Sequence, residues 1–365
     1  MGRPAVLSKP LCTLICCLAF LATSAQAQDP ASLRIATYNP DLSRKGPGLL
    51  LRDILAGKDK QIEAVIATLV DLDADILVLT DVDYDHGRAA LTALAGALDA
   101  AGIAYPHRFT ARPNGGMATG LDLDGDGRLG GPGDAQGFGF FAGRGGLAVL
   151  SRLPIDEAGV RDFSNFLWQD LPGNIIDGSL AEPVRAIQRL SNTAHWDVPV
   201  VLPDGTPLHL LIWHATPPIF DGPKDRNGRR NHDESAFWLR MLDGTLPHPL
   251  PDAPFVLLGE AKLDPIDGDG RNGAINALLA HPKLQDPSPK GQHGRTEPDH
   301  KGPAALDTAL YDFGGLRVDY VLPSAELTVR DAGVLWPEDD APNAETLARA
   351  SRHRPVWVDI TLPLP

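Results

Sequence analysis

The sequence predicts one α/β domain, and three observations lead to this class. Short apolar runs alternate with amphipathic helical segments from residue 33 to residue 360. The chain carries 37 glycines and 33 prolines, which predicts many turns and long loops rather than a helical bundle. It has 365 residues, of which 43% are hydrophobic, and it has no internal repeat or low-complexity linker, so one large core is favoured.

Each predicted strand is a short apolar run. In chain order these runs are residues 33–38, 76–79, 147–150, 208–213, 255–258, 318–322 and 356–360. Helices are predicted where apolar residues recur at helical spacing, as they do at residues 62–69, 88–98, 234–242 and 274–279. Three loops rich in glycine, proline and aspartate are long enough to be functional, and we expect them around a cleft: residues 112–146, 216–231 and 281–313.

The first 27 residues have the pattern of a secretory signal peptide. Arg3 and Lys9 give a basic start, residues 11–22 are apolar, and Ala25-Gln26-Ala27 matches a cleavage signal. The apolar run is too short to span a membrane, although an uncleaved N-terminal anchor is the alternative. All three cysteines lie in this segment, so the exported protein would have no disulfide. We therefore expect a leader at residues 1–27, one domain at residues 28–365, and a secreted or periplasmic monomer with no stable membrane insertion.

The charge balance limits the class of partner. Lysine and arginine total 33 against 47 aspartates and glutamates, a formal net charge of −14, which becomes −16 without Arg3 and Lys9. A non-specific nucleic-acid binder held by a basic patch is therefore not expected, because phosphate contacts need clustered cations. Phosphate chemistry stays open in a site where a divalent metal supplies positive charge.

Polar side chains follow, interrupt or directly precede the predicted strands at six places along the chain. They are Asn39; Asp81 with Asp83 and Asp85; His214; Glu260 with Lys262 and Asp264; Asp319; and His353. Any one of them could be a turn residue, a helix cap or a satisfied core histidine. Because α/β sheets place their chemistry at strand ends, the coincidence of six predicts an active site there.

The segments that carry these residues resemble the endonuclease/exonuclease/phosphatase superfamily, which includes deoxyribonucleases, abasic-site endonucleases and sphingomyelinases. The matching segments span residues 33–360 in the order of the superfamily: Arg34-Ile35-Ala36-Thr37-Tyr38-Asn39, residues 74–81, Ser151-Arg152-Leu153-Pro154-Ile155, Gly259-Glu260-Ala261-Lys262, Arg317-Val318-Asp319-Tyr320 and residues 351–356. The resemblance implies a four-layered sandwich, with two mixed β-sheets packed face to face and helices outside. It also implies a metal-dependent phosphoesterase with its site at one edge of the sheets.

The resemblance also implies roles for individual residues. Asn39 and Asp81 would hold a divalent metal, Mg²⁺ or alternatively Mn²⁺. Asp319 would orient His353, which would bind the scissile phosphate or activate water. His214 would protonate the leaving group. These residue types suit a phosphodiester, whose hydrolysis needs a positioned water, charge neutralisation and a proton donor.

Three motifs depart from the superfamily pattern. Asp81 replaces a glutamate, Gly259-Glu260-Ala261-Lys262 replaces Gly-Asp-x-Asn, and Ser351-Arg352-His353 replaces Ser-Asp-His. Lysine for a neutral amide and arginine for a carboxylate make the site more positive. In one interpretation Lys262 and Arg352 clamp substrate phosphate, with Glu260 and Lys262 around the nucleophile. In the other the domain binds phosphate or metal without turnover. Because both histidines and Asp319 remain, we favour an active hydrolase.

Two loops add candidate binding residues. Arg226, Arg229 and Arg230 follow His214 closely, and we expect them to bind substrate phosphate. Asp122, Asp124 and Asp126 lie in Asp122-Leu123-Asp124-Gly125-Asp126-Gly127, which matches the first half of a calcium-binding loop, and predict a structural Ca²⁺ site. The alternative is an ordinary Asp/Gly turn, because the twelfth position is Gly133 rather than glutamate.

The sequence as a whole predicts an exported, metal-dependent phosphoesterase that cleaves phosphodiesters. Its substrate would be extracellular nucleic acid or a small phosphoester, and the negative net charge leans toward the small molecule.

Overall fold

The computed structural model describes residues 1–2 and 32–362. The strands are Ser32–Tyr38 (β1), Ile76–Val82 (β2), His107–Phe109 (β3), Gly146–Ser151 (β4), Arg161–Asp162 (β5), His195–Val201 (β6), Pro207–His214 (β7), Phe255–Glu260 (β8), Ala309–Tyr311 (β9), Gly314–Leu316 (β10), Asp319–Pro323 (β11), Val329–Val334 (β12) and Val356–Thr361 (β13). The α-helices are Leu49–Ala56 (α1), Lys60–Leu72 (α2), Ala89–Ala100 (α3), Glu182–Arg185 (α4), Arg226–Leu242 (α5), Gly273–Leu279 (α6) and Ala344–Ala350 (α7).

The strands form two mixed sheets and one hairpin. The six-stranded sheet has the order β12-β13-β1-β2-β4-β3, with β1 and β2 parallel and the other pairs antiparallel. The five-stranded sheet has the order β11-β8-β7-β6-β5, with β7 and β8 parallel. Strands β9 and β10 form a separate antiparallel hairpin.

Three hydrophobic clusters hold four layers together. The central cluster lies between the sheets and takes alternate residues of the longer strands, such as Ile76 and Val78 of β2 and Val256 and Leu258 of β8. The opposite faces of the strands pack against α1, α2 and α3 on one side and against α5 and α6 on the other. This arrangement confirms the predicted α/β class and the four-layered sandwich.

Every predicted strand and helix is present, and most are longer than predicted. Helix α5 begins at Arg226, eight residues before the predicted start, because polar residues occupy its buried face. Strand β6, with the sequence HWDVPVV, was not predicted, because its polar residues and proline interrupt an apolar run. The predicted leader lies outside the described residues and remains a prediction, as does the single domain at residues 28–365. Within residues 32–362, no helix is both long and apolar enough to cross a membrane.

Candidate functional site

The site lies at the edge of the two sheets, where the inward-facing residues of the strands change from apolar to polar. In β8 the inward row Val256 and Leu258 continues to Glu260, and in β7 the corresponding row ends at His214. Asp319 of β11 and His214 of β7 are the direct pairing partners of Glu260 on either side. Directly paired residues share a face of the sheet, so three adjacent strands place these side chains in one row.

Glu260 joins the two sheets. Its Oε2 accepts hydrogen bonds from Asn39 Nδ2, at 2.7 Å, and from Thr80 Oγ1, at 3.2 Å, both at strand ends of the opposite sheet. His214 Nε2 lies 3.2 Å from the same oxygen. The carboxylate is 1% exposed. Burial raises the pKa of Glu260, but the positive charges of Lys262, His353 and His214 outweigh burial and hold the pKa well below its usual range.

The second oxygen of Glu260 faces two cationic groups. Lys262 Nζ lies 4.0 Å from Oε1, and His353 Nε2 lies 3.8 Å from it. His353 Nδ1 hydrogen-bonds to Asp319 Oδ2 at 2.9 Å, and Thr308 Oγ1 donates to the same oxygen at 2.8 Å. Burial disfavours the imidazolium, but Asp319 and Glu260 together raise the pKa of His353 to about 9. His353 is therefore a cation at neutral pH, with Nε2–H facing the cleft.

Oxygen donors for a metal line one part of the same cleft: Asn39, Asp41 and Asp81. Asn39 Oδ1 accepts the Asp41 amide N–H at 2.9 Å and keeps a second lone pair. Asp81 has a left-handed backbone conformation, with φ 52°. A Cβ on Gly145 would come within 2.6 Å of Asp81 Oδ1, so the glycine leaves room for this carboxylate. A set of one or two carboxylates and an amide oxygen, with waters completing the coordination shell, suits Mg²⁺ or Mn²⁺.

Arg352 lies beside these donors. Its Nε is 3.5 Å from Asp41 Oδ2, its guanidinium carbon lies 5.8 Å from the centre of the Tyr311 ring, and its side chain is 56% exposed. The arginine therefore stands at the cleft, where it can reach an anionic ligand and also neutralise Asp41. Lys262 is less exposed and lies deeper, against Glu260.

The cleft has a volume of about 1070 Å³ and is predominantly acidic. Among its described lining residues, the lysines and arginines are Lys262 and Arg352, and two histidines also line it. Nine lining residues are acidic: Asp41, Asp81, Glu260, Asp264, Asp267, Asp269, Glu297, Asp299 and Asp312. Two of the three predicted functional loops contribute to the wall, through residues 217–220 and 297–300. Exposed Phe220 and Phe313 form an apolar rim, with Phe313 stacked on Tyr311.

His214 does not lie where a residue that protonates the leaving group would have to be. It is buried against Glu260, its Nδ1 is 3.3 Å from Thr193 Oγ1, and it is not among the residues that line the cleft. A buried histidine of this kind acts through the carboxylate that it contacts.

The three arginines expected to bind phosphate point into the protein instead. Arg230 donates to the main-chain carbonyls of residues 136, 189, 190 and 191, Arg226 to Leu123 O and Gln188 Oε1, and Arg229 to Ile175 O. None of the three lines the cleft. These arginines therefore do not bind substrate phosphate; they point inward because loops without regular structure leave carbonyls unpaired, and an arginine fork satisfies several of them at once.

Helix α5 also holds neighbouring loops in place through the buried carboxylate of Glu234. Both oxygens of Glu234 accept main-chain N–H groups, those of Asn192 and Thr216, at 2.6 Å each. We expect Glu234→Ala to lower the free energy of unfolding by about 2–5 kcal/mol, because two buried donors lose their acceptor. Urea unfolding measures this change, and exposed Glu338→Ala is the matched control. Equal stability of the two variants would contradict this assignment.

The aspartates of the predicted calcium loop converge without reaching the cleft. One ligating oxygen from each of Asp122, Asp124 and Asp126 lies within 4.8 Å of the others. Asp122 also accepts the N–H groups of Gly125, Asp126 and Gly127, as an Asp/Gly turn would. Nearby Asp134 is committed to the Leu123 and Gly131 N–H groups. Calcium binding here remains a prediction.

Sequence reasoning missed three residues of the site. Thr80 and Thr308 hydrogen-bond the two buried carboxylates, and Asp41 faces Arg352. Thr80 could have been found, since it continues the inward row of Ile76 and Val78 at a spacing of two. Thr308 could not, because it precedes a short strand in a long loop.

Comparison with known proteins identifies the family. The model of the endonuclease/exonuclease/phosphatase family matches residues 52–353. The chain belongs to this family. Members of the family hydrolyse phosphoester bonds and generally use divalent metals. No functionally curated protein matches the sequence significantly.

Solved structures share the fold at low sequence identity. An endonuclease/exonuclease/phosphatase from Beutenbergia cavernae is 19% identical, with a TM-score of 0.53, over 91% of this chain and 72% of that chain. A family protein from Bacteroides thetaiotaomicron is 16% identical, with a TM-score of 0.50, over 92% of this chain and 100% of that chain. A family protein from Leptotrichia buccalis is 15% identical, with a TM-score of 0.50, over 90% and 100%.

Proposed function

We propose that the protein is a metal-dependent phosphoesterase that hydrolyses a small phosphodiester. The observation that carries the proposal is the position of Glu260. One of its oxygens is fixed by Asn39 and Thr80, while the other faces Lys262 and His353. A carboxylate, an imidazolium and an ammonium thus meet at a buried point of a cleft, which is the combination that phosphoryl hydrolysis requires.

Each group has a definite task in the proposed reaction. Glu260, ionised and rigidly held, accepts a hydrogen bond from the attacking water and orients it. The water oxygen bonds to phosphorus and gives one proton to Glu260 as the bond from phosphorus to the leaving oxygen breaks, and after product release this proton passes to His353, whose Nε2 lies 3.8 Å from Glu260 Oε1. His353 gives its Nε2 proton to the leaving oxygen, Asp319 stabilises the imidazolium, and Lys262 neutralises charge on the phosphate. His214 is a positioning residue, because it contacts Glu260 and not the cleft.

The metal would be held by Asn39 and Asp81, with Mg²⁺ as the first expectation and Mn²⁺ as the alternative. When bound, a divalent ion neutralises the non-bridging phosphate oxygens and so lowers the barrier to attack by water.

The charge of the cleft supports a small substrate. Nine acidic residues against Lys262 and Arg352 would repel a polyanionic strand that passed along the cleft, whereas one phosphate group needs only local positive charge. The apolar rim formed by Phe220 and Phe313 could receive the organic part of such an ester. The N-terminal sequence pattern supports export, to the periplasm or the medium.

A phosphate-binding domain without turnover is the second candidate. The observation in its favour is the contact between Arg352 and Asp41, in which the guanidinium lies 3.5 Å from one of the candidate metal donors and neutralises its charge. This candidate predicts that inorganic phosphate binds with no hydrolysis of any ester.

A substrate panel separates these functions. We expect the purified protein with Mg²⁺ or Mn²⁺ to hydrolyse bis(p-nitrophenyl) phosphate faster than p-nitrophenyl phosphate, and to leave plasmid DNA intact. Rapid nicking of the plasmid would make it a nuclease, and preference for the monoester would make it a phosphatase. Phosphate binding without turnover of any of the three would support the binding domain.

The proposal predicts a pH dependence. Because the pKa of His353 is raised from 6.5 to about 9, its imidazolium contributes stability that is complete below 6.5 and is lost as the pH rises through about 9. We expect kcat/KM to decline in the same alkaline range. Asp319→Asn removes one of the charges that raise the pKa and should move the decline to lower pH. An alkaline limb unaffected by Asp319→Asn would contradict the assignment.

A further inference from the structure

A second group of ligating side chains lies beside the cleft, apart from the residues of the proposed reaction, and two of its three members, Glu297 and His300, line the cleft. It consists of Glu297, His300 and Asp307, here called the distal cluster. One ligating atom from each residue lies within 4.8 Å of the other two. His300 Nε2 faces Asp307 Oδ1 at 3.6 Å, which is too long for a hydrogen bond but a normal separation for two ligands of one ion.

Two polar atoms of the distal cluster are buried without a partner in the described part of the chain. They are His300 Nε2 and Glu297 Oε2. The His300 side chain is 8% exposed, so its unpaired nitrogen is not simply solvated. Buried polar atoms are nearly always hydrogen-bonded or bound to an ion, because an unsatisfied one costs about 1–3 kcal/mol. Two such atoms that converge on Asp307 indicate a ligand between them.

The surrounding residues hold the distal cluster in place. Asp267 accepts the N–H groups of Lys301 and Gly302, which fixes the turn that carries His300, and its Oδ2 faces His300 Nδ1 at 3.7 Å. At this distance the carboxylate is not hydrogen-bonded to the ring, but its charge favours a proton on Nδ1, which leaves the lone pair of Nε2 free to face the cluster. A Cβ on Gly315 would lie 2.0 Å from Asp307 Oδ2, so this position needs glycine if the carboxylate is to stay where it is.

The charged groups around the distal cluster are mainly carboxylates, which favours the binding of a cation there. The carboxylates of Asp264, Asp267 and Glu297 all lie close enough to Asp307 to act on its charge. Asp264 and Asp267 are compensated by main-chain N–H groups. Arg295 Nε lies 3.9 Å from Glu297 Oε1, which is not the unpartnered oxygen Oε2. Asp307 faces His300.

We propose that Glu297, His300 and Asp307 bind a divalent transition-metal ion, Zn²⁺ or Mn²⁺, at a site separate from the one formed by Asn39 and Asp81. One imidazole with two carboxylates suits these ions better than Mg²⁺ or Ca²⁺, which prefer oxygen ligands throughout. Three protein ligands leave a coordination position open to water or substrate, and Glu297 and His300 line the same cleft as Lys262.

The test counts metal and needs no turnover, so it is independent of the proposed hydrolysis. The purified protein is stripped with a chelator and dialysed against Zn²⁺, and bound zinc is measured by mass spectrometry. Wild type and Asp81→Asn should retain the distal ion. His300→Ala and Asp307→Asn should bind it about 100-fold more weakly or not at all. His107→Ala is the control for loss of a histidine elsewhere.

Gly315→Ala is a second variant for the case in which a ligand variant fails to fold. Its added methyl group should displace the Asp307 carboxylate and weaken zinc binding while every ligand side chain remains. Zinc should also raise the Tm of wild type and of Asp81→Asn, but not of Gly315→Ala. Zinc binding that is insensitive to His300→Ala, Asp307→Asn and Gly315→Ala would overturn the proposal, as would wild-type binding abolished by Asp81→Asn alone.

Discussion

Replacing His353 by asparagine is expected to lower kcat for phosphodiester hydrolysis by about 100- to 10,000-fold, the range measured for loss of a general acid. Asparagine can keep a hydrogen bond to Asp319 but cannot carry the charge or the proton that His353 holds at neutral pH. Steady-state rates on bis(p-nitrophenyl) phosphate measure the effect.

The matched control is His107→Asn, a histidine on strand β3 at the far edge of the six-stranded sheet. Its kcat should equal that of wild type. An unchanged kcat in His353→Asn, with the variant folded, would remove His353 from the reaction and with it the assignment of the proton donor.

Lys262→Met is expected to lower kcat/KM by about 100- to 1,000-fold, as loss of one group that stabilises developing negative charge does. Methionine has a similar length and keeps the packing of the stem, so the variant removes the ammonium group near Glu260 Oε1. Exposed Lys58→Met controls for the loss of one positive charge. The rates of the three proteins on the same diester give the comparison.

The opposite result would be equally informative. Lys262 stands where the family pattern has asparagine, so an increase in rate in Lys262→Met or Lys262→Asn would show that the lysine obstructs the site. That outcome would support the binding domain without turnover over the active hydrolase.

The alternation of residues along strands made much of the site predictable. Glu260 and His214 end inward-facing rows, and Asp319 begins one, so a period of two places all three on the inner face. The same rule predicts Thr80 rather than Asp81 as the next inward residue of β2. Asp81 instead reaches the cleft through a left-handed backbone conformation, which an apolar pattern does not reveal.

The arginines after His214 show where sequence reasoning fails. A cluster of cations beside a candidate catalytic histidine has the same appearance whether the cations bind phosphate or loop carbonyls. The distinction depends on where residues 136 and 189–191 lie, more than thirty positions away along the chain. Long-range contacts between loops are set by the folded arrangement, so neither their partners nor the distal cluster could be predicted from spacing.

The most direct test of metal-dependent hydrolysis through His353 is the initial rate of bis(p-nitrophenyl) phosphate hydrolysis by wild type and His353→Asn, each with Mg²⁺, with Mn²⁺ and with a chelator. We expect turnover by wild type that needs the metal and is lost in the variant. Wild-type turnover that survives the chelator, or that equals the rate of His353→Asn, would contradict this mechanism.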